Sequence, residues 1–165
     1  MIFRCLLFLL ILSAPAFALE DKSLGFNIDF PEGPGWWQID HQQLKDGSQI
    51  WKSKNSSEGV TLIFMATTQS APAPGSTFKT NAEKWEKGIL SKMSRKISSR
   101  YLTLSGHEAI ELLCHAASNG RNFYFSYTML QSGPRTFTAC VMATDEENLK
   151  SDAAAAFVQS LVLTK

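Results

Sequence analysis

Asn119-Gly120 constrains the fold of this chain more than any other dipeptide in it. A two-residue type I′ turn needs positive φ at both central positions, and asparagine followed by glycine meets that demand at least cost. From Ser94 onward the flanking segments alternate apolar and polar residues, so the turn joins two strands of a meander. Positions that pair across it sum to 239, which sets Cys114 opposite Phe125. Gln131-Ser132-Gly133-Pro134 marks the next reversal. With Ser132-Gly133 as its loop, pairs sum to 265 and Phe125 lies opposite Cys140. One face then collects Ile110, Leu112, Cys114, Phe125, Tyr127 and Cys140 and reads as core. The other carries Glu111, His115, Ser126, Phe137 and Val141. That second face is too apolar to stay wet, so covering layers are expected on both sides of the sheet.

The earlier half of the chain supplies more strands. Gly25–Phe30 alternates and is ended by Pro31; Glu32-Gly33-Pro34-Gly35 is a turn, and Trp36–Ile39 resumes extended structure. Gln49–Lys54 and Val60–Thr67 form a hairpin around Asn55–Gly59, and Ser70–Gly75 reads as a Pro-rich loop. The period then changes. Phe78, Ala82, Trp85, Ile89 and Met93 lie on one helical face, with Ser76 or Thr77 as the N-cap. Thr144-Asp145-Glu146-Glu147 is a capping box opening a final helix, whose buried face is Leu149, Ala153, Ala156, Phe157 and Leu161. The expected fold is α+β: a largely antiparallel sheet flanked by helices on both faces.

The N-terminus has the build of an export leader. Arg4 supplies a positive n-region, Leu6–Leu12 is continuously apolar, and Ala16-Phe17-Ala18 is an A-x-A site predicting cleavage after Ala18. The apolar run is far shorter than the roughly 20 residues of a membrane span. Residues 1–18 are therefore read as a signal peptide and 19–165 as one domain, periplasmic or secreted, with no transmembrane segment after cleavage. The whole chain has 16 Lys+Arg against 15 Asp+Glu. Arg4 is the only charged residue of the leader, so the mature chain is balanced, 15 against 15. A neutral balance gives no general pull toward nucleic acid.

Two cysteines survive cleavage, Cys114 and Cys140. The register sets them on one face two strands apart, about 10 Å between Cα atoms, beyond the roughly 7 Å reach of a disulfide. Both are expected to be free buried thiols.

No segment carries a specific catalytic or metal motif. Glu111, His115 and Ser126 share a face, but Glu111 and His115 stand about 13 Å apart along an extended strand, too far for one to orient the other. His115 is expected to bond Tyr124 under a covering helix. His41, His107 and His115 are scattered, and no ligand spacing links them. No cofactor and no metal site is expected. Two surfaces stand out for binding. Trp36 and Trp37 point to opposite faces of an extended segment, so either one lies in the core and the other at a rim, or both pack against the helices. Lys79, Lys84, Lys87, Lys92 and Arg95 belong to a basic strip: Lys79–Arg100 holds seven basic and two acidic residues.

The order of these signals resembles a known family. Phe26-x-Ile28-x-Phe30-Pro31 with its turn and Trp comes first, then a hairpin and an amphipathic helix. Leu104-Ser105-Gly106-His107-Glu108-Ala109 then leads into the Asn119-Gly120 meander, and a closing helix ends in Phe157-Val158-Gln159-Ser160-Leu161. Together, over about Gly25–Leu163, they resemble the PsbP-like superfamily, including bacterial DcrB-type envelope proteins and domains of unknown function. The resemblance implies α-β-α layering and an accessory, assembly or binding role. The functional expectation is a non-catalytic exported binding or accessory protein acting on another component of the cell envelope, with a protein as its partner. An immunity or chaperone-type protein binding a specific effector is the alternative, followed by a small-ligand carrier or a hydrolase using His115.

Overall fold

The computed structural model describes residues 16–68 and 75–164. The leader's Met1–Pro15 and most of the Pro-rich loop lie outside the described residues. In chain order the strands are β1 (Ala16–Asp21), β2 (Phe26–Pro31), β3 (Asp40–Gln43), β4 (Gln49–Asn55) and β5 (Val60–Thr68). Helix α1 (Phe78–Leu90) follows, then the meander β6 (Arg95–Leu104), β7 (His107–Ser118), β8 (Arg121–Ser132) and β9 (Arg135–Ala143). A 3-10 turn (Glu147–Lys150), α2 (Asp152–Gln159) and the short β10 (Val162–Leu163) close the chain. No helix among the described residues is long and apolar enough to cross a membrane.

Seven strands form one antiparallel sheet in the order β3-β4-β5-β9-β8-β7-β6. The turn between β7 and β8 is built as the dipeptide demands: Asn119 and Gly120 have φ of 52° and 73°, and Cys114 pairs with Phe125. The next turn differs. Ser132 pairs with Arg135, so the loop is Gly133-Pro134 and pairs sum to 267. Gly133 supplies the positive φ (56°) at the first loop position, and the fixed negative φ of Pro134 suits the second. Cys140 therefore faces Tyr127, not Phe125. A shift of two residues leaves every side chain on its expected face.

The expectation of helices on both faces is overturned. Among the described residues the molecule is mostly antiparallel β-structure with two short α-helices, and the layer over one face of the large sheet contains a second sheet, β1-β2-β10. Phe26, Ile28 and Phe30 of β2 point one way, as period two requires, and pack on Phe64, Leu62, Phe137 and Val141 of the large sheet. The face that looked mixed is thus the principal core face, because its partner is another strand layer with α2 beside it. Helix α1 lies on the opposite face, where Ala82, Phe78 and Trp85 cover Ile110 and Met129. It is too short to cover the sheet, and Ile63, Met65, Phe125 and Met142 on that face stay half-buried.

Capping explains the helix limits. The Thr77 side chain accepts from Thr80 N at 3.2 Å and starts α1. The capping box at Thr144–Glu147 yields only the 3-10 turn. Ser151, whose side chain accepts from Ala154 N, opens α2, and Ala154 rather than Ala156 is buried.

Gly59, in the β4–β5 hairpin loop, has φ +65°, and a Cβ there would meet Thr144 Oγ1 at 2.4 Å. Gly59→Ala is expected to cost about 1–3 kcal/mol. Adding Thr144→Ala, which deletes that hydroxyl, should recover part of the loss in thermal melts. Equal stability of wild type and Gly59→Ala would contradict the contact.

Candidate functional site

The turn after β2 builds one end of the molecule. Pro31 has no N–H to continue a ladder, and the chain reverses through Gly33 and Gly35, both at positive φ (122° and 88°). A Cβ on Gly35 would meet Asn55 Oδ1 at 2.9 Å, so glycine lets the turn lie against β4. Trp36 N donates to Gly33 O (3.2 Å), Trp37 N to Lys54 O (2.9 Å), and Ser53 Oγ to Trp37 O (2.8 Å). These bonds stitch the tryptophan pair along the end of β4.

The two rings separate. Trp36 packs against the core, whereas Trp37 is 64% exposed with the Lys54 ammonium 5.8 Å from its ring centroid. Such an exposed cation–π contact contributes about 0.5–1 kcal/mol. An open groove of about 590 Å³ runs between Phe17, Pro31, Trp36, Trp37 and Ile39. A second, about 510 Å³, lies between Ala16, Pro31 and Trp36 on one side and Ala153, Ala156 and Phe157 of α2 on the other. Pro31, Glu32 and Trp36 line both. Carboxylates gather at the second groove: Asp29, Glu32, Glu58 and Asp152 line it, and among the described residues no basic one does.

The expected basic strip lies elsewhere. Lys79, Lys84, Lys87, Lys92 and Arg95 are all exposed along α1 and the start of β6, and none forms an ion pair among the described residues. Lys96 pairs with Glu86 and Arg100 with Glu111 at 2.6 Å, so the strip is partly neutralised at its β6 end. The structure does not bring it to the tryptophan end.

The titratable residues on β7 and β8 are not assembled as a catalytic set. Glu111 is held by Arg100, and His115 Nε2 lies 3.0 Å from Asn122 Oδ1 with its ring 5.2 Å from that of Tyr124. His41 stacks on Trp51 and contacts Gln49 Oε1 at 3.0 Å. No group of three potential metal ligands occurs among the described residues. Cys114 and Cys140 are unbridged and buried on β7 and β9, with β8 between them. Burial pushes the Cys114 thiol from 9.0 up to about 11. It pushes Cys140 the same way, against the Tyr127 hydroxyl, which favours the thiolate.

Sequence reasoning found the tryptophans but missed the walls around them. In the sequence Ala16 and Phe17 carry only a cleavage motif, and the contribution of α2 comes from more than a hundred residues away.

No protein-family model matches the chain, and no curated protein matches it. Among solved structures it is similar to LpqN of Mycobacterium tuberculosis, described as involved in cell envelope biogenesis. Identity is 15% and the TM-score 0.52, over 92% of this chain and 91% of that one. A protein from Bacteroides thetaiotaomicron VPI-5482 aligns at 11% identity and TM-score 0.53, over 85% of this chain but 45% of the other. PA94 of Pseudomonas aeruginosa, a protein of unknown function, aligns at 11% identity and TM-score 0.48, over 81% and 85%. The likenesses to LpqN and the Bacteroides protein show a shared fold.

Proposed function

We propose that this chain is an exported, non-catalytic binding or accessory domain of the cell envelope, of PsbP-like build. In this reading residues 1–18 are removed after Ala18, and the Trp36–Trp37 end contacts a protein partner. The observation that carries it is the pair of grooves around Trp36, rimmed by an exposed Trp37. A large exposed aromatic beside a cleft walled by further aromatics has the composition of a binding hot spot. The fold shared with LpqN supports the envelope setting. The basic strip on α1 is a weaker candidate, because solvated lysines gain little from pairing at a surface.

A photo-crosslinking residue in place of Trp37, introduced into the exported protein in its native cell, should give a discrete adduct with an envelope protein. The same residue in place of Lys87 should not. An adduct at Lys87 and none at Trp37 would move the site to the basic strip. Intact mass of the exported protein should correspond to a chain starting at Leu19; a chain starting at Met1 would refute the cleavage.

A further inference from the structure

The predicted cut falls inside a formed strand. Ala16, Phe17 and Ala18 pair with Pro31, Phe30 and Asp29, and the pairing continues through Leu19–Ile28 to Asp21–Phe26. Asp29 N donates to Ser160 Oγ at 2.8 Å, toward α2. Successive main-chain groups of a strand face opposite edges, so those of Phe30 face Phe17. Cleavage after Ala18 therefore uncovers the Phe30 N–H and C=O and removes the groove walls contributed by Ala16 and Phe17. The remainder of β1 stays anchored: the Asp21 carboxylate accepts from Ser23 N, Ser23 Oγ and Leu24 N, and Gly25 N donates to Asp21 O at 2.7 Å.

We propose that the lane along Asp29–Pro31, filled by Ala16–Ala18 before cleavage, is the docking site of the mature domain for an extended segment of a partner protein, added antiparallel to β2. This inference rests on the cleavage and binding readings above and names what the site takes. The leader's own residues give the pattern. A central aromatic side chain takes the place of Phe17 beside Trp36 and Trp37, and small residues flank it where Ala16 and Ala18 lie. Main-chain pairing supplies affinity and the side-chain positions supply selectivity, as in other strand-addition sites. Asp29, Glu32, Glu58 and Asp152 line the adjoining groove, so the segment is neutral or basic, not acidic. The uncleaved chain is self-occupied at this lane.

The test compares a chain starting at Leu19 with one starting at Ala16, each titrated with a labelled hexapeptide of residues Ser13–Ala18. The shorter chain should bind at least about tenfold more tightly, a difference of 1.4 kcal/mol. Trp36→Ala, or an aspartate in place of the peptide's phenylalanine, should abolish that difference. Amide exchange at Phe30 should be slow in the longer chain, fast in the shorter one, and slow again with peptide. Equal or absent binding by a folded shorter chain overturns the proposal. So does a shorter chain that fails to fold, since Ala16–Ala18 would then be integral, and so does its dimerisation through β2. These outcomes are independent of the mass measurement, which reads cleavage alone.

Discussion

Phe26→Ala is expected to lower the unfolding free energy by about 3–5 kcal/mol. Phe26 is fully buried and touches aromatic rings from three strands of the large sheet: Trp51 at 5.3 Å, Phe64 at 4.6 Å and Phe137 at 5.9 Å between centroids. It is the ring through which the β1-β2-β10 layer grips the large sheet. Its loss leaves a cavity at the junction of two rigid sheets that cannot collapse onto each other. Against a total stability of about 5–15 kcal/mol for a domain of this kind, the variant should sit near the edge of folding. Urea unfolding followed by tryptophan fluorescence and circular dichroism checks this. Phe125→Ala is the informative control, because Phe125 is half-buried on the face that α1 covers incompletely. It should cost clearly less, about 1–2 kcal/mol. Similar losses for the two would mean that the principal core has been assigned to the wrong face.

That contrast locates what was legible in the sequence. Period-two alternation tells which residues share a face, and Asn119-Gly120 sets the register of the β7–β8 hairpin without any tertiary information. It does not tell what covers a face. Phe137 and Val141 needed a partner, and a strand layer satisfies them as well as a helix does. Phe26–Phe30 was readable as a strand, but one of its edges is taken by β1, which lies in the leader motif, and the other by β10, which is distant in sequence and only two residues long. Alanine-rich Ala16–Ala18 has weak strand preference, and its small-aromatic-small pattern matches a processing site, so one signal masked the other. The final helix went astray because four consecutive alanines define no face, which left Thr144 and Ser151 competing as caps. At the candidate site, the Gly-Pro-Gly turn and adjacent tryptophans announced themselves. The grooves did not, because they exist only where β1, the turn and α2 meet.

Stability should also fall steeply in alkali, through the buried thiols. In the unfolded chain a cysteine ionises near 9.0; burial raises Cys114 to about 11 and shifts Cys140 upward as well. A folded-state pKa above the unfolded one means the native chain keeps a proton that the unfolded chain sheds. The contribution is complete below pH 9 and is lost as pH rises from 9 through 11, at up to about 1.4 kcal/mol per pH unit for each thiol. Tyr127, paired with Cys140 and raised by the same desolvation, acts in the same direction. Urea midpoints measured with reductant should be flat to about pH 8.5 and then drop. Cys114→Ala removes one of the titrating groups, so its midpoint should fall less steeply over that range; an unchanged slope would refute the assignment. The same burial keeps the thiolate fraction low, and reactivity follows the thiolate. The native protein should therefore resist thiol reagents near neutral pH, and the two thiols should react after unfolding. With β8 between them, the two cysteines share one face of the sheet without bridging.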